Sequence, residues 1–287
     1  MKITILEPCG YCSGVERAMD IAFETKMKNP SKNVVILGML VHNEDSLLCL
    51  EKAGINTVFK ENCSLEQMVD EIKEPSIVIL TAHGHSKTVE EKLIKNGHEI
   101  VDSTCPFVKN SFKEIQEAIK DGYEVFYIGV NNHPEAIAAE SISSKVHLID
   151  VKERLAPASN YEKVFVLSQT TLSEFEVKEV IDLLKPHYPD MKVAKGICNA
   201  STKRQESLMN IPNDIDGILI VGGNNSNNSK TLFNLAKKLY PNKIVKLIQN
   251  ELELNKKDLP GLSHIAISSG ASTPKEVVLA IKERLLN

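Results

Sequence analysis

Short apolar runs alternate along the chain with segments in which apolar residues recur at helical spacing. The runs VVIL, VFYI and ILIV are typical of strands that are buried on both faces. In the segment after Cys12, apolar residues fall on one face of a predicted helix: Val15, Ala18, Met19, Ala22 and Phe23. Strands that alternate with helices indicate parallel sheets and β-α-β units. The sequence therefore predicts the α/β fold class.

Three cysteines occupy equivalent places in this pattern. Cys12, Cys105 and Cys198 are 93 positions apart in both steps (105 − 12 and 198 − 105). Each follows a short β-type run and precedes a helical pattern, and Pro106 occupies the favoured first helical position after Cys105. A period of this kind indicates a repeated structural unit. Each cysteine is therefore predicted to lie where a strand turns into a helix.

The same period divides the chain into three predicted α/β units. We expect the first unit at residues 13–103, the second at 104–197 and the third at 198–287, with the strand in residues 1–12 joining the third. In open α/β sheets, ligands bind beyond the carboxyl ends of the strands. Three units with parallel sheets, related by a pseudo-threefold axis, are therefore expected to direct their strand-end loops at one central site.

Polar residues recur at these predicted strand ends. In one set, a glycine follows a buried strand and a polar residue comes four positions later: His42, His133 and Ser226. A second set of strands ends in polar loops that contain His83, Thr170 and Ser272. Loops of this composition that open onto helix N-termini suit an oxyanion such as phosphate or diphosphate. His85, two residues from His83, is instead expected to face solvent.

The equivalent cysteines predict a metal centre. A helix N-terminus favours the thiolate form that binds metal, and thiolates select iron–sulfur clusters, zinc or copper(I). Four thiolates saturate a [4Fe–4S] cluster, whereas three leave one iron open to a substrate. We therefore predict an iron–sulfur enzyme whose cluster is held by the three repeated cysteines.

Cys9 and Cys12 also form a Cys-x-x-Cys pair, which imitates a thioredoxin-type redox motif. The positions equivalent to Cys9 in the other two repeats are Asp102 and Lys195. Cys9 therefore has no counterparts, and a thiol oxidoreductase would not need the other two repeated cysteines. We disfavour this interpretation, and Cys49 and Cys63 are interpreted as structural.

Composition limits the possible partners and compartment. The net charge is −4, from 34 basic and 38 acidic residues, so the chain does not have the basic character of a nucleic-acid or anionic-membrane surface. No apolar run approaches the roughly 18 residues that span a bilayer, and the segment MKITILEP does not resemble a signal peptide. Six cysteines in a chain of this length are too sparse for a disulfide framework. We expect a cytoplasmic protein without nucleic-acid or membrane partners.

Glu135 is the carboxylate of the HPE segment at one predicted strand end. Because Pro134 favours the first position of a helix, Glu135 can be a helix-start residue that complements the helix dipole. It can equally be a proton donor beside an open iron. The sequence supports both interpretations.

Nine motifs between Gly10 and Pro274 together resemble the LytB/IspH family of 4-hydroxy-3-methylbut-2-enyl diphosphate reductases. In chain order they are GYCSGVERA, LVHNE, TAHGHS, DSTCPFVK, HPEA, SQTTLS, ICNASTKRQ, GGNNSNNS and SGASTP. The resemblance implies a three-lobed fold around a [4Fe–4S] cluster, with Cys12, Cys105 and Cys198 at the ligand positions. It also implies that Glu135 delivers protons with Thr170 as its partner.

The resemblance further implies the reaction. It is the reductive dehydroxylation of 4-hydroxy-3-methylbut-2-enyl diphosphate to isopentenyl and dimethylallyl diphosphate, the last step of the non-mevalonate isoprenoid route. The substrate hydroxyl is expected on the open iron, and electrons are expected from an external donor such as ferredoxin or flavodoxin. The positions that match the substrate-binding residues are His42, His83, His133, Ser226, Asn227, Asn228 and Ser272. At Asn227 the chain departs from the family, which usually has serine there.

Two alternatives belong to other classes. Quinolinate synthase, an iron–sulfur dehydratase, also draws three cysteines from three pseudo-equivalent domains, but the HPEA, QTTLS and SGASTP motifs do not resemble it. A non-enzymatic iron–sulfur redox sensor would need an output module, and no basic helix-turn-helix or tail is evident.

Overall fold

The structure, a computed structural model, describes residues 1–155, 160–254, 259 and 261–287. Within these residues the strands form three four-stranded sheets, and every paired strand runs parallel to its neighbours. Along the chain, the strands alternate with helices. The predicted α/β class with parallel sheets is therefore confirmed.

Each sheet is described here in its spatial strand order. The first contains β1 (Lys2–Ile5), β12 (His264–Ser269), β10 (Gly217–Val221) and β11 (Ile244–Ile248). The second contains β3 (Ile55–Val58), β2 (Val34–Leu37), β4 (Ile77–Leu80) and β5 (Glu99–Asp102). The third contains β7 (Val146–Asp150), β6 (Glu124–Gly129), β8 (Val164–Ser168) and β9 (Lys192–Val193). In all three, the two central strands are the ones that the sequence predicts to end in polar loops.

The helices lie between successive strands of the chain, except for α10, which follows the last strand. They are α1 (Ser13–Lys28), α2 (Glu44–Lys52), α3 (Leu65–Val69), α4 (Lys87–Lys95), α5 (Pro106–Lys120), α6 (Pro134–Glu140), α7 (Glu174–Leu184), α8 (Asn199–Met209), α9 (Asn227–Leu239) and α10 (Lys275–Leu286). A short 3₁₀ helix covers Glu251–Glu253. None of the helices within the described residues is long and apolar enough to cross a membrane.

The central strands have apolar side chains on both faces. Along β10, Leu219 and Val221 pack into one apolar cluster, whereas Ile218 and Ile220 pack into another. Successive side chains of a strand point to opposite faces, so both faces of this sheet are covered. This two-sided burial explains why these strands are continuous apolar runs in the sequence.

The chain forms two compact units. The terminal unit comprises Met1–Glu16, Val41–Leu48 and Cys198–Asn287, and the middle unit comprises Arg17–Leu40 and Cys49–Ile197. The terminal unit contains the first sheet, in which β1 pairs with β12. The middle unit contains the other two sheets. The division into three repeated units with the boundaries given above stays a prediction.

Candidate active site

The three repeated cysteines all precede helices. Cys105 is the N-cap of α5 and Cys198 is the N-cap of α8. Cys12 directly precedes α1, and its carbonyl oxygen accepts a hydrogen bond from the Glu16 N–H at 2.9 Å. The strands β1, β5 and β9 come before these helices. The structure thus places each cysteine at a turn from strand to helix.

The thiols have the chemistry that the predicted cluster requires. None of the three takes part in a disulfide, and neither Cys105 nor Cys198 uses its side chain to cap its helix. Cys12 and Cys198 belong to the terminal unit, and Cys105 belongs to the middle unit. Among the described residues, no three His, Cys, Asp or Glu side chains are grouped as a metal site. The donor set nevertheless fits an iron–sulfur cluster in kind, because cysteine sulfurs are the soft ligands that such clusters select.

Arg204 lies beside two of these cysteines and is not predicted by the repeat. Its side chain is buried, with an exposed fraction of 2%. The guanidinium donates to three carbonyl oxygens: Gly10 at 2.6 Å, Ser269 at 3.1 Å and Ala200 at 3.1 Å. Gly10 precedes Cys12, Ala200 follows Cys198, and Ser269 ends the strand before Ser272. Arg204 therefore joins three segments that carry predicted site residues.

The environment of Arg204 combines burial with acidic neighbours. Burial lowers the pKa of the Arg204 guanidinium, and the nearby thiols of Cys12, Cys9 and Cys198 act in the opposite direction. A buried guanidinium remains protonated and needs both hydrogen bonds and anionic neighbours. Arg204 consequently supplies positive charge where the terminal unit holds its two predicted cysteine ligands.

Replacing Arg204 by Met is expected to lower the free energy of unfolding by about 3 kcal/mol or more, because the Gly10 and Ser269 carbonyl oxygens lose a charged donor inside the protein. Lys203→Met is the matched control, because Lys203 is the neighbouring residue and is exposed. This substitution should change the free energy of unfolding by less than about 0.5 kcal/mol. Urea unfolding followed by circular dichroism measures both. Equal effects of the two substitutions would show that Arg204 does not hold these segments together.

The loop that carries Glu135 is held by side chains from neighbouring strand ends. The Gln169 side-chain oxygen accepts the Val130 N–H at 3.0 Å, and Asp150 accepts the Asn131 N–H at 2.6 Å. His133 is then the N-cap of α6, with its Nδ1 accepting the Glu135 N–H at 3.2 Å. These bonds fix the start of α6, so Glu135 occupies its first turn.

The Glu135 carboxyl is buried and surrounded by donors. Its exposed fraction is 1%. Oε1 accepts the Thr170 N–H at 2.8 Å and the Tyr127 hydroxyl at 3.0 Å, while Oε2 accepts the Thr170 hydroxyl at 2.8 Å. Burial raises the pKa of Glu135 to about 7, against the opposing effect of these hydrogen bonds. The structure brings the predicted proton donor and its predicted partner into direct contact.

Two predicted histidines also meet in the middle unit. The rings of His83 and His133 contact edge to face, with centroids 5.5 Å apart. His85 is different from the prediction, because its side chain is only 9% exposed and its Nε2 lies 2.7 Å from Glu90 Oε1. The prediction that His85 faces solvent is therefore wrong, and the contact with Glu90 on α4 is the reason.

The predicted anion-binding residues of the terminal unit gather at the start of α9. Ser226 is the N-cap, and its hydroxyl accepts the Ser229 N–H at 3.3 Å. Asn228 Oδ1 accepts the Ala271 N–H at 2.8 Å, which fixes the loop that carries Ser272. Asn227, between Ser226 and Asn228, is half-buried. The helix N-terminus and the Ser272 loop thus belong to one hydrogen-bonded arrangement.

A second contact of Asn228 leads to a cysteine. Its side-chain Nδ2 donates to the Ser201 hydroxyl at 3.2 Å, and the Ser201 oxygen lies 3.3 Å from the Cys198 sulfur. A hydroxyl can donate to a thiolate and stabilise it. The predicted anion-binding residue and the predicted cluster ligand are therefore linked through one serine side chain.

His42 is held in the terminal unit by a close backbone approach. A Cβ added to Gly223 would lie 1.8 Å from the His42 carbonyl oxygen, so only glycine permits this contact. Burial, followed by the positive charge of Lys230, lowers the pKa of the His42 imidazole. A bound anion would oppose both effects, since it favours the protonated imidazolium.

The sequence matches one protein family over nearly the whole chain. A family model described as LytB protein matches residues 3–286. The chain belongs to the LytB family. A relative of this LytB chain, named 4-hydroxy-3-methylbut-2-enyl diphosphate reductase, comes from Malacoplasma penetrans (strain HF-2). It is 36% identical over 285 residues, which cover 96% of this chain and 93% of the relative. The family resemblance predicted from the motifs is confirmed.

Solved structures resemble this LytB chain as well. One is described as the E-1-hydroxy-2-methyl-but-2-enyl-4-diphosphate reductase from Plasmodium falciparum, with a TM-score of 0.89 and 27% identity, covering 100% of this chain and 88% of that one. Another is described as (E)-4-hydroxy-3-methyl-but-2-enyl diphosphate reductase, the terminal enzyme of the non-mevalonate pathway. Its TM-score is 0.69 at 32% identity, covering 100% of this chain and 99% of that one.

Proposed function

We propose that this LytB chain is a 4-hydroxy-3-methylbut-2-enyl diphosphate reductase, which catalyses the terminal step of the non-mevalonate isoprenoid route. The substrate takes up two electrons and two protons, loses its hydroxyl as water, and becomes isopentenyl or dimethylallyl diphosphate. The observation that carries the proposal is the buried Glu135–Thr170 pair, since a carboxyl with a pKa of about 7 can both donate and regain a proton at neutral pH.

Cys12, Cys105 and Cys198 are the residues that we propose to hold a [4Fe–4S] cluster. When bound, such a cluster supplies the electrons and, at the iron without a cysteine, a Lewis acid for the substrate oxygen. The buried Arg204 guanidinium balances the negative charge of the thiolates in the terminal unit. The electron donor in this proposal is a small reduced carrier protein such as ferredoxin or flavodoxin.

Polar side chains at the strand ends are proposed to bind the diphosphate. The start of α9 offers backbone N–H groups and the positive end of the helix dipole, which favour a phosphate. The Ser226 and Asn228 side chains already order this helix start. The residues assigned to substrate binding are His42, His83, His133, Ser226, Asn227, Asn228 and Ser272. The position of Asn227, half-buried in the first turn of α9, is compatible with an amide contact to a phosphate oxygen.

Glu135 is proposed to donate the proton that converts the leaving hydroxyl into water. The C–O bond breaks as the electron pair stays with the departing oxygen, and that oxygen takes the proton. Thr170 lies against the carboxyl and fixes the direction in which the proton leaves. The burial of this pair excludes bulk water from the carboxyl.

The test is an assay of the anaerobically purified protein with dithionite-reduced viologen and synthetic 4-hydroxy-3-methylbut-2-enyl diphosphate. Iron and sulfide are measured on the same sample. We expect about four of each per chain and formation of both five-carbon diphosphates, identified by mass spectrometry. A sample with a full cluster that leaves the substrate unchanged would overturn the proposed function.

A further inference from the structure

Tyr127 is a polar residue in a place where the other repeats are aliphatic. It lies two positions before Gly129, at the end of β6, and the equivalent positions before Gly38 and Gly222 are Ile36 and Ile220. Its side chain is fully buried among apolar residues, including Ile115, Ala136, Leu148 and Leu167. Packing alone would favour another aliphatic residue here, because a buried hydroxyl needs a hydrogen-bond partner.

The partner of the Tyr127 hydroxyl is the Glu135 carboxyl. The hydroxyl donates to Oε1 at 3.0 Å, and the Thr170 N–H donates to the same oxygen at 2.8 Å. A carboxyl oxygen has two lone-pair sites, so these donors occupy both sites of Oε1. Oε2 contacts the Thr170 hydroxyl at 2.8 Å. The two oxygens of one carboxyl are therefore not equivalent.

We propose that Tyr127 is a positioning residue for proton transfer: with the Thr170 amide it occupies both lone pairs of Oε1, and it thereby confines the acidic proton of Glu135 to Oε2. In the protonated state, Oε2–H donates to the Thr170 hydroxyl, which turns and donates its own hydrogen onward. One proton leaves Glu135, one reaches the acceptor, and the Thr170 hydroxyl is unchanged. This inference rests on the proposed function for its role in the reaction.

The groups around Tyr127 and Glu135 are compatible with a proton held on Oε2. Among the described residues, Tyr127 on β6 and Thr170 after β8 donate hydrogen bonds to the carboxyl, whereas His133 at the α6 cap accepts the Glu135 backbone N–H. From α5, the side chains in the same apolar cluster as Tyr127 are Phe112, Ile115, Ala118 and Ile119. Burial and the neighbouring carboxylate keep the pKa of the Tyr127 phenol well above its usual value. Tyr127 therefore remains a donor throughout the pH range of an assay.

The test is Tyr127→Phe in the cluster-loaded enzyme, because this change removes one hydroxyl and keeps the buried ring. The lost bond stabilises the ionised carboxylate, so the high-pH decline of turnover should move upward by roughly one pH unit. Tyr240→Phe is the matched control, since its hydroxyl donates to the carbonyl oxygens of Leu208 at 2.9 Å and Met209 at 3.1 Å. It removes a hydrogen-bonded tyrosine hydroxyl and should leave the pH profile unchanged.

A second measurement does not depend on turnover. Infrared difference spectra across the titration of Glu135 contain the carbonyl band of the protonated carboxyl, assigned by its loss in Glu135→Gln. In Tyr127→Phe this band should move to higher wavenumber, because the Oε1 carbonyl accepts one bond fewer. If the wild type lacks reductase activity, the proposed function fails. The infrared band still tests whether Tyr127 bonds to Oε1 of Glu135. An active Tyr127→Phe enzyme with an unmoved band and pH profile would overturn the inference.

Discussion

Replacing Glu135 by Gln is expected to slow turnover by at least about a hundredfold, because the amide has no acidic proton to donate. General acid catalysis by a positioned side chain typically contributes about 10²–10⁴-fold to the rate. The substitution should leave the cluster content and substrate binding intact. The measurement is steady-state reduction with reduced viologen, beside a titration of the cluster spectrum with substrate.

The hydrogen bonds around Glu135 accept this amide without rearrangement. With its oxygen in place of Oε1, the amide accepts from Tyr127 and the Thr170 N–H. Its nitrogen, in place of Oε2, donates to the Thr170 hydroxyl, as the protonated acid does. Glu135→Gln thus imitates the protonated state but cannot release the proton. Near-normal turnover would show that Glu135 is only a helix-start residue.

The raised pKa of Glu135 also predicts how stability depends on pH. The folded value is about 7 and the unfolded reference value is 4.5, so the folded protein binds more protons between them. The contribution of Glu135 to stability is therefore full below about pH 4.5 and is lost as the pH rises towards about 7. Ionising this buried group costs roughly 3 kcal/mol by pH 8.

The amide of Glu135→Gln cannot ionise, so this variant should not lose stability through residue 135 as the pH rises. Relative to the wild type, the variant should gain roughly 3 kcal/mol of unfolding free energy between pH 4.5 and pH 8. Glu283→Gln is the control, because it replaces an exposed carboxyl on α10. Urea unfolding at both pH values is the measurement. A pH dependence in Glu135→Gln that equals that of the wild type would contradict the raised pKa.

The repeat explains how much of the fold could be predicted. Parallel strands and crossover helices follow from local apolar periodicity, and the equal spacing of Cys12, Cys105 and Cys198 locates three turns from strand to helix. The strand-end position of Glu135 and Thr170 follows from the same pattern. Their contact does not, because it depends on the tertiary packing of the loops after β6 and β8.

The repeat does not predict a role for Arg204, whereas it does mark Tyr127 as an exception. Arg204 lies in a weakly amphipathic helix, where it resembles any polar residue of a surface helix, yet it is buried. Its partners are backbone carbonyl oxygens, which carry no sequence signal. For Tyr127 a signal exists, since it replaces isoleucine at an equivalent buried position. A departure from an internal repeat is thus itself evidence for a special role.

Serine substitution is expected to abolish the stable cluster at each of Cys12, Cys105 and Cys198. The serine hydroxyl is a harder and less acidic ligand than a thiol, and soft thiolates are what iron–sulfur clusters select. With one of three protein ligands lost, we expect anaerobic reconstitution to leave less than about one tenth of the wild-type iron and sulfide. Bound iron and sulfide are measured with the visible absorption of the cluster.

The structure separates this loss from a loss of folding. Cys105 and Cys198 are N-caps whose side chains do not cap the backbone of their helices, and serine is a favoured N-cap residue. The cluster-free variants Cys105→Ser and Cys198→Ser should therefore unfold at the same urea concentration as the cluster-free wild type, or at a higher one. A protein that loses its cluster merely because it misfolds would not behave in this way.

Cys9→Ser is the sharpest control, because Cys9 is three residues from Cys12 in the same loop. Its half-buried thiol contacts the Ser269 hydroxyl at 3.8 Å, and burial raises the pKa of this thiol, which disfavours the thiolate that a metal requires. We expect Cys9→Ser to keep the cluster, as should Cys49→Ser on the exposed side of α2. A Cys9→Ser protein without a cluster, beside a Cys105→Ser protein that retains it, would reverse the ligand assignment. That result would instead favour the interpretation of Cys9 and Cys12 as a Cys-x-x-Cys redox pair.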